Sequence, residues 1–278
     1  MRVINEELIT QEVCRLCIEA THFLDNKTMD KLKTACNNET GLPKIILEQI
    51  IENDIIAKDE MIPMCQDTGI VVCFVEIGNN VHINGDIEKA INLGVKKAYE
   101  EAYLRKSVVK CPINRINTKD NTPAIIHYKM VCGDRLKITI APKGAGSENM
   151  SKLTILNPAD GVSGIKKFIL DCVTSAGGRC CPPIILGIGI GGNMEKAALM
   201  SKEALMRPID DSSNDPTIKN LEDEILELVN NSNVGPMGLG GKTTALSVKI
   251  NTYPCHIASL PVAVNIQCHA NRHKEVIL

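Results

Sequence analysis

With 278 residues, 12 cysteines, 23% charged residues and a formal net charge of −2, the chain can bury a core without disulfides or metal. That charge offers no broad attraction to nucleic acid or to an anionic membrane. Aromatic residues make up 3% and tryptophan is absent, so platforms for stacking bases are scarce. The thiol count, with neither a basic-then-apolar leader nor an apolar run of membrane-spanning length, predicts a reducing, cytoplasmic setting.

Residues 5–57 show apolar positions at helical spacing in ELITQEVCRLCIEATHFL and LPKIILEQIIENDII, which predicts two or three helices. The segment 1–57 is expected to be the helical part of a single domain over 1–278. Cys14 and Cys17 form a CxxC inside the first helical pattern with no second pair nearby, so core packing is expected of them. EMIPMCQDTG then reads as a loop feeding the buried strand IVVCFVEIG, which places Cys65 where a strand can deliver a functional group. The pattern over 85–105 predicts a helix ending at Arg105, a residue that in this position caps a helix and is solvated. Residues 123–141 read as a hairpin turning at Gly133-Asp134. The small-residue segment from Lys143 to Asn149 reads as a loop whose N–H groups could form an anion nest, and 160–176 as a further helix.

The stretch Thr174–Arg207 pairs Cys180 and Cys181 with Pro182-Pro183, a stiff corner able to hold a thiolate in place, followed by an apolar run and a helical pattern. Gly187, Gly189 and Gly192 fit GxGxxG but do not follow the first strand of a βαβ unit, which weakens a dinucleotide reading. GPMGLGGKTT suggests a phosphate loop, yet Pro236 stands where that motif needs glycine and ALSVKINTY continues as a strand. The region 215–231 reads as an acidic surface helix, and HIASLPVAVNIQ as a strand leading to Cys268.

Cys65, Cys181 and Cys268 thus stand at loop or strand ends, with Cys180 competing with its neighbour. Three thiolates suit a closed metal site with one further ligand, or a cubane iron–sulfur cluster with one iron left open. Intervals of more than 80 residues do not choose between these, nor do they exclude scattered core thiols. A structural zinc protein and an electron-transfer or redox-sensing iron–sulfur protein remain alternatives.

The runs MCQDTG, GAGSENMSKLTILNPADG, CPPIILGIGIGGNMEKAALMSKEAL and LPVAVNIQC resemble, in order and over nearly the whole chain, the cluster-binding half of class I fumarate hydratases and the alpha subunit of the related L(+)-tartrate dehydratase. The resemblance implies a [4Fe–4S] cluster held by Cys65, Cys181 and Cys268, with Cys181, the cysteine touching Pro-Pro, preferred over Cys180. It implies Gln66 and Asp67 beside the cluster as catalytic and substrate-binding residues, Arg105 on a substrate carboxylate, Gly146 touching substrate through its backbone, and His256 near the cluster as a further catalytic residue. His269 and His273 are expected at a surface or subunit contact. The implied fold is α+β, a central mixed β-sheet flanked by helices with loops converging on the cluster. The implied reaction is reversible hydration of a four-carbon dicarboxylate, fumarate to L-malate first and tartrate dehydration second. Single-chain members carry a second domain bearing a Thr base and further Arg and Lys contacts, whereas this sequence ends ten residues after Cys268. An alpha subunit working with a separate beta subunit, within a higher oligomer, is therefore expected.

Overall fold

In the computed structural model, which describes residues 1–278, the chain begins β1 (Arg2–Asn5), α1 (Glu6–His22), α2 (Asn26–Asn38), α3 (Leu42–Asp59), β2 (Ile70–Gly78), β3 (Val81–Asn84) and α4 (Ile87–Glu101). It continues β4 (Ile125–Val131), β5 (Leu136–Lys143), α5 (Ala145–Glu148), β6 (Lys152–Leu156), α6 (Gly161–Ala176), β7 (Ile184–Gly191) and α7 (Met194–Leu205). It closes with α8 (Pro216–Asn230), β8 (Ala245–Tyr253), β9 (Leu260–Gln267) and β10 (Lys274–Ile277). The architecture is α+β, as expected, with mixed strand pairing shared between two four-stranded sheets and a short two-stranded one. Two compact units emerge, one of residues 1–24, 53–145 and 272–278, the other of 25–52 and 146–271.

In the first unit the sheet order is β10-β5-β2-β4, with β2 parallel to β4 and antiparallel to β5. The apolar stripes of α1 and α4 supply Ile9, Val13, Leu16, Val95 and Tyr99 to a core shared with Val71, Cys73, Ile138 and Ile140. The Asp86 carboxylate accepts from Lys89 N–H at 3.1 Å and caps α4. The expected 123–141 hairpin is absent: β4 and β5 are not partners, because β2 lies between them. The Gly133 carbonyl instead accepts from Asn80 N–H at 2.9 Å, and a Cβ on Gly78 would sit 2.5 Å from that oxygen, so the turn wraps the end of β2. Cys14 and Cys17 lie in this core, as expected, and burial pushes the Cys14 thiol up to about 11.

In the second unit the order is β6-β9-β7-β8, with β9 antiparallel to both β6 and β7, and β8 parallel to β7. Ile169, Val173, Leu221, Ile225 and Val229 from α6 and α8 share a core with Leu186, Ile188, Val248, Val264 and Ile266 of the sheet. The glycines of the GxGxxG match serve packing. A Cβ on Gly187 would lie 2.1 Å from the Ser201 carbonyl and one on Gly189 2.1 Å from the Ala197 carbonyl, so β7 is stripped of side chains where α7 crosses it.

Candidate functional site

In the first unit the turn before β2 carries Cys65 and Gln66. Its shape is fixed by Asp67, whose carboxylate accepts from Gly69 N–H at 3.1 Å through Oδ1 and from Ala145 N–H at 2.8 Å through Oδ2. The latter bond ties the turn to the segment after β5, whose Lys143 is paired with Ile70 across the sheet. Gly69 is glycine for cause: its φ is +77 and a Cβ would lie 2.5 Å from the Lys143 carbonyl. Beneath the turn the buried Tyr99 hydroxyl donates to the Thr68 carbonyl at 2.7 Å, and burial pushes its pKa up. Asn121, fully buried, donates to the Gly69 carbonyl at 3.1 Å and accepts from Ser107 N–H at 2.7 Å.

Arg105 belongs to this assembly. The helix ends at Glu101, four residues earlier than the sequence predicts, so Arg105 caps no helix. Its carbonyl accepts from the Thr68 hydroxyl at 3.0 Å, and its side chain is exposed. Backbone ties thus bring Arg105 to the segment that carries Cys65, Gln66 and Asp67. Arg272 joins them, donating from Nη1 to the Asp67 carbonyl at 2.6 Å.

In the second unit Cys180 and Cys181 part company. Cys180 is 1% exposed within the core, its thiol donates to the Gly177 carbonyl at 3.3 Å, and burial pushes it up to about 11. Cys181 is half-buried at the tip of the turn, in the left-handed region with φ 54 and ψ 65. The antiparallel register pairs Ile185 with Gln267, so Cys181, shortly before β7, and Cys268, directly after β9, emerge at one end of the sheet. Gln267 donates from Nε2 to the Ala270 carbonyl at 2.7 Å and folds the chain around the Cys268 sulfur. Gly146 reaches the same end: a Cβ there would lie 3.3 Å from the Arg179 carbonyl, next to Cys180. The expected 143–149 loop contains the short α5 turn, and beyond it the Ser151 hydroxyl accepts from Ile266 N–H at 3.1 Å, two residues before Cys268.

The glycine-rich segment that fails as a phosphate loop braces this turn. Met237 N–H donates to the Pro182 carbonyl at 2.9 Å, and Cβ atoms on Gly178 and Gly238 would each come within 2.5 Å of the other strand of backbone. Glu39, buried on the second unit's helical portion, accepts from Lys242 and Thr243 N–H groups at 2.7 and 2.6 Å. Tyr99, Asn121, Glu39 and Arg272 are functional supports that the sequence did not single out.

His256 is not brought to Cys268. It is exposed in the turn before β9, accepting through Nδ1 from Ala258 N–H at 3.1 Å, while Cys268 follows the far end of that strand. Eight extended residues span about 25 Å. None of the cysteines is disulfide-bonded, and no group of three His, Cys, Asp or Glu side chains is gathered as a metal site. In donor chemistry, Cys65, Cys181 and Cys268 are half-buried thiols of the soft kind an iron–sulfur cluster takes, as Cys111 is, whereas Cys17, Cys73, Cys172 and Cys180 are sealed in cores.

A family model described as Fumarate hydratase (Fumerase) matches residues 10–277. A Methanocaldococcus jannaschii protein named "Putative L(+)-tartrate dehydratase subunit alpha" is 44% identical over 272 residues, 95% of each chain. Proteins named "L(+)-tartrate dehydratase subunit alpha" from Escherichia coli strain UTI89 and Shigella sonnei are 29% and 28% identical, covering 95% and 97% of this chain and 88% and 90% of their own. The α+β fold and these matches define a hydro-lyase. Within that class, the chain belongs to the fumarate hydratase (Fumerase) family.

Proposed function

We propose that this chain is the alpha subunit of an iron–sulfur hydro-lyase that reversibly hydrates fumarate to L-malate, adding hydroxyl to one olefinic carbon and hydrogen to its neighbour. The family match over residues 10–277 carries this reading. A second reading, dehydration of L(+)-tartrate, is favoured by the names of the relatives above. Those names also support a separate beta subunit, to which we assign the base and the remaining substrate contacts, within a higher oligomer. We place the chain in the cytoplasm on its thiol-rich composition, and no helix is long and apolar enough to cross a membrane.

Cys65, Cys181 and Cys268 would hold a [4Fe–4S] cluster, which when bound supplies Lewis acidity at an iron without a protein ligand. The residues of this chain act around it. Arg105 presents an exposed planar fork suited to a carboxylate. Gly146 offers backbone to substrate beside the Cys181 turn. Gln66 is exposed on the Cys65 turn, where its amide can orient a hydroxyl or water. Asp67 contributes by holding that turn, since both carboxylate oxygens already accept backbone N–H groups. Anaerobic assays of the iron-loaded chain, alone and with a partner subunit, against L-malate, fumarate and L(+)-tartrate test the proposal. Turnover of L-malate and fumarate is expected only with the partner. Preference for L(+)-tartrate would select the second reading, and inertness toward all three acids with the partner present would overturn both.

A further inference from the structure

Arg272 is 4% exposed, yet its guanidinium makes one hydrogen bond, from Nη1 to the Asp67 carbonyl. Its Nε is buried with no partner, and no carboxylate stands within salt-bridge distance. The nearby Asp67 carboxylate is committed to Gly69 and Ala145 N–H groups. A buried, permanently charged group with most of its donors unused is costly unless an anion completes it. Gly144 backs directly onto the guanidinium. A Cβ on Gly144 would lie 2.9 Å from Nη2 and 3.2 Å from Asp67 Oδ2, so any side chain there would crowd the guanidinium. Gly144 needs no special backbone conformation, as its φ is outside the left-handed region, and steric room is what its lack of a side chain provides.

We propose that Arg272 is a second carboxylate-binding residue of this site, taking one carboxylate of a four-carbon dicarboxylate while Arg105 takes the other; this rests on the hydro-lyase reading above. Arg272 sits on the carbonyl side of the turn that displays Cys65 and Gln66, so a ligand bound there is registered against that turn. Its planar fork can bond both oxygens of a carboxylate, which an ammonium cannot.

The test is titration calorimetry of the iron-loaded full chain with succinate, an unreactive four-carbon dicarboxylate, and with succinamate, which has one carboxylate fewer. The native chain is expected to prefer succinate. Arg272→Gln should weaken succinate about 10- to 100-fold, the range for one charged hydrogen-bonded pair, narrow the preference over succinamate, and leave iron and sulfide per chain unchanged. Arg272→Lys keeps charge without the fork and should fall between the two. If the Gln variant does not fold, the Lys variant decides, and native succinate affinity in it would overturn the proposal. Loss of iron and sulfide from Arg272→Gln would assign the buried charge to the cluster and overturn it too. A lowered melting temperature with unchanged succinate affinity would reduce Arg272 to a brace for the turn. A native chain that ignores succinate would overturn this proposal, while the hydro-lyase reading is decided separately by the assays with the partner subunit.

Discussion

Gly238→Ala attacks the contact through which the glycine-rich segment supports the cysteine turn. Gly238 has φ +79, and a Cβ would lie 2.5 Å from both the N and Cα of Gly178. Left-handed backbone costs a non-glycine residue about 1–2 kcal/mol. The overlap is with backbone, so no rotamer change relieves it, and overpacking of this kind adds about 1–3 kcal/mol. If the segment lifts away instead, the Met237 N–H to Pro182 bond breaks and about 1 kcal/mol is lost. The net expectation is roughly 2–4 kcal/mol of destabilisation, a melting temperature lower by on the order of 10 °C, and faster modification of the Cys181 thiol. Gly240→Ala is the control: its φ is +83, but its nearest neighbour, Asn233 Oδ1, is 3.7 Å away, so it carries the conformational cost without the overlap. Thermal unfolding followed by circular dichroism, with timed thiol titration of the metal-free chain, reads both effects. Equal melting temperatures for the two variants, with thiol kinetics unchanged, would refute the brace.

Three further expectations concern separate parts of the chain. Cys181→Ser should lose iron and sulfide while Cys180→Ser keeps them, because the Cys180 thiol is sealed in the core; the opposite pattern in elemental analysis would exchange the two assignments. Arg105→Lys should retain full iron content and lower kcat/KM about 10- to 100-fold, since the charge survives but the fork does not; native kinetics would remove Arg105 from the substrate contacts. Burial raises the Asp54 carboxyl from 3.8 to about 6, and its Oδ2 has no partner. Between those values the folded chain keeps a proton that the unfolded chain releases, so stability falls as pH rises through that window and the loss is complete above it. Asp54→Asn should therefore stabilise by up to about 3 kcal/mol near pH ~8 and change little near pH ~4, and equal melting shifts at both would contradict this.

Elements governed by local pattern were legible. The apolar runs IVVCFVEIG, ALSVKINTY and LPVAVNIQ became β2, β8 and β9, and the helical spacing over 160–176 and 215–231 became α6 and α8. Misreadings arose where distant partners decide. Adjacent strand signals at 123–141 suggest a hairpin, yet β2 supplies a partner for both strands and separates them. The helix before Arg105 stops at Glu101 even though apolar spacing continues, and Tyr103 takes φ 52. His256, which the resemblance puts near the cluster, lies before β9 while Cys268 follows its far end, so this chain sets the two at opposite ends of that strand.

The supporting residues were hidden for a different reason. Tyr99 meets Thr68 across 31 residues, Glu39 meets Lys242 across 203, and Arg272 meets Asp67 across 205. Each is an ordinary residue in an ordinary local setting, and its role exists only once the chain closes. Arg272 is the sharpest case, because an Arg within His-Ala-Asn-Arg-His near the end of a sequence reads as solvated charge. In the fold it is withdrawn to 4% exposure and placed on the carbonyl of the residue that shapes the Cys65 turn. Burial with no carboxylate in salt-bridge contact turns an unremarkable cation into a demand for an anion, and the dicarboxylate substrate we propose would give that demand a chemical answer.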